Sequence, residues 1–280
     1  MIGNNLKASF NSIKHHVSFS LLNILGLGIG MGCSILIFLW VTNEVSYDRF
    51  NVNAGSLYRI TSDINGSKAA VIPVPMGIAV RQAMPGVVNV TRLKATDAIF
   101  TVNNQKFEEK RGFYTDTNFL RMFSYPLTSG RIADALASPG SVVITASLAK
   151  KYFGSVDAVG KTLLVDNDIK SSTLIVSGVL QDVPVNSHLQ FDFLLPMQLY
   201  EKHIDYDGSW GNFDIYTYVQ MDKRFQPGRI ANINKALFNL FVRNESEVAT
   251  GGFTMQPLTA IHLYSGQAAV ANPVKSLRTE

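Results

Sequence analysis

The sequence predicts an α+β fold, with one N-terminal transmembrane helix followed by an exterior domain of mixed strands and helices. Three observations carry that prediction. Residues 17–41, VSFSLLNILGLGIGMGCSILIFLWV, run without a single charge. Past Val45 the pattern changes to short apolar segments separated by turn residues. Among those segments lie stretches of helical period, clearest in PGRIANINKALFNLFVRN, where Ile230, Ile233, Leu237 and Leu240 fall on one face.

Composition agrees with a membrane-attached chain. Charged residues make up 16% of the 280 residues, below the quarter or so usual for soluble domains, and the apolar excess is concentrated in one place. The formal net charge of +4 is spread among acidic residues after the apolar stretch, with no basic run and no nucleic-acid module, which argues against nucleic-acid binding. Cys33 is the only cysteine, so no intrachain disulfide can form and the exterior domain must be held by its own core.

In chain order, residues 1–16 place Leu6, Phe10 and Ile13 at helical spacing, with Lys7, Lys14 and His15 off that stripe. They predict a cytoplasmic amphipathic segment lying on the membrane face. Residues 17–43 form the predicted transmembrane helix. Twenty-five uncharged residues reach about 37 Å as a helix, enough for a hydrocarbon core of about 30 Å. A cleaved signal peptide has an apolar core of about 7–15 residues and an Ala-x-Ala-like cleavage site; this stretch is longer, and Thr42 to Ser46 offers no such site. Lysines precede the helix and the first acidic residue, Glu44, follows it, which predicts a cytoplasmic N-terminus and an exterior domain over residues 44–280.

Inside the helix, Gly26, Gly28, Gly30 and Gly32 form two overlapping Gly-x-x-x-Gly pairs. Such glycines let a neighbouring helix approach closely in lipid, although membrane helices also tolerate glycine without that purpose. The exterior domain then opens with strands in SLYRITSDI, VVNVTRLKA, AIFTVNNQKF and KRGFYTD, with turns at Asn65-Gly66 and Asn103-Asn104. Helices are predicted in MGIAVRQAMPG, stopped by Pro85 and Gly86, and in TNFLRMF. The middle holds a strand in SVVIT and a helix in TASLAKKYF, capped by Thr145 or Ser147 and ended by Gly154. Strand segments in TLLVDN, TLIVSGVLQDVP, LQFDFLLPM and DIYTYVQMD follow, and the chain closes with GFTMQPLTAIHLYS and a polar tail.

YFGSVDAVGKTL, residues 152–163, tests for a phosphate-binding P-loop. The pattern needs four residues between its first glycine and Gly-Lys-Thr, whereas five separate Gly154 from Gly160. The order of elements here is helix, loop, strand, the reverse of a P-loop. Gly160 and Lys161 therefore shape a turn, and no nucleotide cofactor is predicted.

Catalysis finds equally little support. His188, His203 and His262 lack metal-ligand spacing, and no nucleophile elbow occurs. Asp182, Asp192, Asp205, Asp207 and Asp214 sit among turn formers, where aspartate usually shapes the backbone. Asn186-Ser187-His188, after Pro184, reads as a loop whose polar groups hold a turn.

Several segments then carry a resemblance. Glu44-Val45-Ser46-Tyr47-Asp48-Arg49-Phe50 with Leu57-Tyr58-Arg59, SVVITASLAKKYFGSVDAVGKTL, VSGVLQDVPVNSHLQFDF and QPLTAIHLYS resemble, in that order, segments of MacB-like and FtsX-like ABC transporter permeases. The resemblance implies a two-part periplasmic ectodomain: a porter-like part formed by early and late segments, with a second subdomain inserted between them. It implies a permease subunit in the bacterial inner membrane, driven by a separate cytoplasmic ABC ATPase. The other partners it implies are a second permease copy or paralogue, a periplasmic protein and membrane lipid. It makes Glu44, Tyr47, Asp48 and Phe50 the junction where the helix hands motion to the ectodomain. Permeases of the family continue into three further membrane helices, so the expectation is that this chain, ending at Glu280, is an N-terminal portion. A membrane-anchored periplasmic sensor or binding domain is the competing reading.

Overall fold

A computed structural model describes residues 17–64, 66–166, 171–203, 208–244 and 251–264. The predicted amphipathic segment 1–16, Asn65, Asp205, Asp207 and the polar tail lie outside the described residues. The chain divides into two compact units, Met1–Ser46 and Tyr47–Glu280.

In the first unit, α1 spans Val17–Glu44 and buries none of its residues. Its 28 residues reach about 42 Å at 1.5 Å per residue, and its length and apolarity make it a candidate membrane span. Two hydroxyls within it are satisfied by the helix itself: Ser34 donates to the Gly30 carbonyl at 2.8 Å, and Thr42 donates to that of Phe38. Backbone carbonyls one turn back are the partners a hydroxyl finds where water is absent.

The second unit is built on a 12-stranded sheet. Its strands are β1 (Leu57–Ile64), β2 (Ser67–Ala69), β3 (Ile72–Pro73), β4 (Val87–Val102), β5 (Gln105–Thr115), β6 (Leu127–Gly130), β7 (Ser141–Thr145), β8 (Thr162–Asp166), β9 (Ser172–Leu180), β10 (Phe193–Pro196), β11 (Phe213–Met221) and β12 (Gly251–Pro257). The helices are α2 (Val74–Ala83), α3 (Phe119–Met122), α4 (Ala146–Phe153), α5 (Met197–His203) and α6 (Ile230–Asn244). The main path runs β12-β1-β11-β4-β5-β10-β7-β9-β6. Pairs β10/β5 and β7/β9 are parallel, while the pairs along β12-β1-β11-β4 are antiparallel. This mixture is the predicted α+β class.

The two-part character appears in the cores. Early and late segments, β1, β11 and β12 with α2 and α6, share a cluster containing Ile60, Met76, Val80, Val219, Leu237, Phe241 and Phe253. The predicted stripe of α6 is the contact: Leu237 is buried and Ile230, Ile233 and Leu240 pack around it. The middle segments form a separate cluster around Phe100, Ile144, Tyr152, Val176 and Phe193. A third, holding Leu57, Phe123, Leu180, Phe191, Tyr218 and Ile261, draws on both parts and takes Phe50 against its edge. Alternation in β11 serves two of these clusters, since Tyr216 and Tyr218 go to one and Val219 and Met221 to the other.

Local chemistry explains the turns. Asn103 and Asn104 both adopt positive φ, 50° and 63°, which a two-residue hairpin demands and asparagine tolerates. Thr145 caps α4 by accepting from the Leu148 N–H, and Gly154 ends it with φ 71°. Gly160, at φ 85°, donates its N–H to the Val176 carbonyl at 2.8 Å, so the near-P-loop is the turn it was predicted to be. One reading changes: VVNVTRLKA and AIFTV are a single 16-residue strand, β4, with the register shift between Thr96 and Ala98. A bulge keeps a strand continuous where the sequence pattern breaks. β2, β3, β6 and α5 went unpredicted, because two to four residues give no period and α5 has one short turn pattern.

Candidate functional site

The second unit begins at Tyr47, and the contacts that hold its first residues build the site. Tyr47 stacks on His262, ring centroids 3.4 Å apart and planes 1° apart. Phe50 lies 5.5 Å from Tyr125, at the edge of the third core cluster. Between them Asp48 is fully buried and takes φ 60°, a left-handed conformation open to aspartate at modest cost. That conformation turns both its N–H and its carboxylate toward one loop.

The loop is 186–188. Asp48 donates its N–H to the Asn186 carbonyl at 2.8 Å. Its carboxylate accepts from His188 N–H at 3.2 Å and meets His188 Nδ1 at 2.7 Å. On the other side of the imidazole, Nε2 lies 2.8 Å from the Tyr218 hydroxyl of β11. A carboxylate can only accept, so Nδ1 carries the proton and the Nε2 lone pair accepts from the tyrosine O–H. The result is a directed chain: Tyr218 donates to His188, which donates to Asp48. Ser187 extends it, with its hydroxyl 2.9 Å from that of Tyr125.

Electrostatics fit a neutral imidazole. Burial pushes His188 below its ordinary value, against the opposing pull of Asp48, with the Arg59 and His262 charges adding to the fall. Burial likewise pushes the Tyr218 hydroxyl up, keeping it a donor. Arg59 stands beside this group, its Nη2 donating to Gln256 Oε1 at 2.8 Å. The segment is also strapped from α3: Ser124 N–H donates to Asn51 Oδ1 at 2.9 Å, Val52 N–H to Ser124 Oγ at 2.9 Å, and Asn53 Nδ2 to the Met122 carbonyl at 3.0 Å.

An aspartate, histidine and hydroxyl in series suggest nucleophilic catalysis. Access argues otherwise. The Asp48 and His188 side chains are 1% and 7% exposed and Tyr218 is fully buried. The clefts beside Arg81, Arg92 and Asp116 (about 470 Å³) and beside Phe225, Arg229 and Ile233 (about 480 Å³) are lined by none of the three. The arrangement holds two loops and a strand together, and its three side chains open to neither cleft.

The other predicted residues divide clearly. Glu44 ends α1. Gly26, Gly28, Gly30 and Gly32 lie on α1, where a Cβ on any of them meets no atom within 4 Å, so this chain alone gives them no close approach to explain. Asp182 accepts from the N–H and hydroxyl of Ser147, Asp192 pairs with Arg111 at 2.6 Å, and Asp214 pairs with Lys94. These aspartates serve separate structural ends. Tyr218, Asn51, Ser124 and Tyr125 escaped sequence reasoning. For Tyr218 a faint signal exists, since a tyrosine in a buried strand needs a partner for its hydroxyl.

Residues 20–233 match the model of the MacB-like periplasmic core domain. Among solved structures, a domain provisionally described as part of a permease protein from Porphyromonas gingivalis aligns with TM-score 0.62 and 23% identity, covering 74% of this chain and 92% of that one. The periplasmic region of MacB from Actinobacillus actinomycetemcomitans aligns with TM-score 0.54 and 15% identity, covering 76% and 94%. The extracellular domain of the noncanonic ABC-type transporter YknZ from Gram-positive bacteria aligns with TM-score 0.52 and 14% identity, covering 71% and 99%. No functionally curated protein matches the chain.

Proposed function

Because the chain belongs to the MacB-like periplasmic core domain family, we propose that it acts as a permease subunit of an ABC transporter, coupling a cytoplasmic ATPase to movement of a periplasmic domain. α1 crosses the inner membrane with residues 1–16 in the cytoplasm, as the lysines before it and Glu44 after it favour. Gly26, Gly28, Gly30 and Gly32 pack it against other helices of the assembly, including a second permease copy. ATP binding in the partner shifts a two-state equilibrium, and α1 carries that shift outward.

The observation that supports this reading is the buried Asp48–His188–Tyr218 chain. A lever needs a joint without slack, and Asp48 is tied through both backbone and side chain to a loop and a central strand. A binding domain that is only tethered, passing no motion through its helix, has no need of such a joint.

The test is a detergent pull-down of the protein from its native host. The expected result is a copurifying ATPase whose hydrolysis the permease stimulates, with stimulation falling several-fold in Asp48→Ala while the complex stays assembled. Absence of any ATPase contradicts the transport reading and favours the sensor.

A further inference from the structure

Two side chains stand out against the core just described. Val52 is 88% exposed and Val185 87%, the highest values among the exposed large apolar residues of the described chain, above even those of α1. They are far apart in sequence, yet they sit on the two loops that Asp48 joins through Asn186 and His188. Neither exposure comes from slack backbone. Val52 is held by its N–H to Ser124 Oγ at 2.9 Å, and Val185 lies in a turn closed by Ser187 N–H to the Pro184 carbonyl at 3.1 Å and by Gln190 Nε2 to the same carbonyl at 2.9 Å. Their neighbours Phe50 and Val183 turn inward to the third core cluster. The fold spends apolar neighbours on its core and holds these two valines rigidly outward.

We propose that this end of the exterior domain rests on the bilayer, with Val52 and Val185 inserted among the lipid headgroups and upper acyl chains. The occupant follows from chain continuity. Val52 comes eight residues after the last residue of α1, so chain continuity keeps it within about 28 Å of that end of the helix. Exposed cations accompany the valines: Arg49 beside the buried Asp48, and Arg121 on α3, whose end is strapped to the same segment. Arginines reach phosphate while apolar tips sink about 5–10 Å into the boundary. Tyr264, 54% exposed, follows the His262 that stacks on Tyr47 and suits the tyrosine-rich interfacial belt. The inference rests on α1 crossing the membrane and is independent of whether the protein transports anything.

The test uses the full chain with Cys33→Ala, reconstituted in phosphatidylethanolamine/phosphatidylglycerol vesicles. Single nitroxide labels are placed at Val52→Cys, Val185→Cys, Leu27→Cys within α1, and Ile175→Cys, a half-exposed position on β9. Collision with oxygen, which concentrates in lipid, is compared with collision with a water-soluble nickel chelate. The expected oxygen-to-nickel ratio at positions 52 and 185 is several-fold above that at 175 and below that at 27. A ratio equal to that at 175 overturns the proposal, as does shielding from both reagents, which would mean that protein covers the valines. If position 27 itself collides with nickel, the membrane-spanning reading fails, which is a distinguishable outcome.

Discussion

Among the described residues the Tyr218 hydroxyl is the donor to His188 Nε2, and both groups are out of water. Tyr218→Phe keeps the ring among Phe123 and its neighbours but leaves a buried acceptor without a partner. A cost of about 1–3 kcal/mol is expected, read as a lower unfolding midpoint in detergent. His188 adds a pH dependence whose sign follows from its lowered value. The unfolded chain takes up a proton near pH 6.5, while the folded chain resists until the pH is lower. Unfolded protein therefore binds more protons in that window, so stability is full above about pH 6.5 and is lost as the pH falls below it. His188→Gln should flatten that slope. At this scale the sequence was half legible. Asp48 and the Asn186-Ser187-His188 loop each stood out, but 140 residues separate Asp48 from His188. Nothing in local pattern announces that a left-handed aspartate reaches across to a loop. Tyr218 was hidden among the alternating residues of a strand recognised only as a strand.

Among elements, β5 shows what periodicity cannot reveal. KRGFYTD reads correctly as a strand, yet the reason for its glycine appears only in the parallel pairing, where Gly112 stands opposite Phe193 of β10. A Cβ there falls 2.1 Å from the Phe193 ring, and that ring is fully buried against Phe100. Gly112→Ala is therefore expected to cost about 1–3 kcal/mol by overpacking. The double variant Gly112→Ala/Phe193→Leu should recover part of that loss, measured as unfolding midpoints of the two variants against wild type. Two of the helices, by contrast, were legible in detail. α4 announced its Thr145 cap and Gly154 stop, and α6 its buried stripe, because caps and helical period are written in neighbouring residues. The shortest strands were not, and β4 was read as two pieces because its bulge at Thr96–Ala98 interrupts the alternation.

For the whole molecule, one apolar helix precedes a mixed α/β domain in the chain. Composition and the charge-free stretch revealed the division into an apolar helix and a mixed domain, and the ordered resemblance of several segments revealed the kind of domain. The sheet order, with early and late strands side by side and middle strands inserted, depends on long-range pairing that sequence pattern alone does not encode. Tyr47, Asp48, Phe50 and Asn51 bind to parts of the chain as distant as Ser124, Tyr125, His188 and His262, and the proposed function makes that segment a joint. Amide hydrogen exchange on the full chain in nanodiscs measures that joint most directly. The account predicts that residues 48–52 and 186–188 exchange as slowly as outer strands of the sheet, and that Asp48→Ala releases both segments together while β11 stays protected. Exchange of residues 48–52 at the rate of an unstructured peptide in the wild-type protein, with β11 protected, would contradict it.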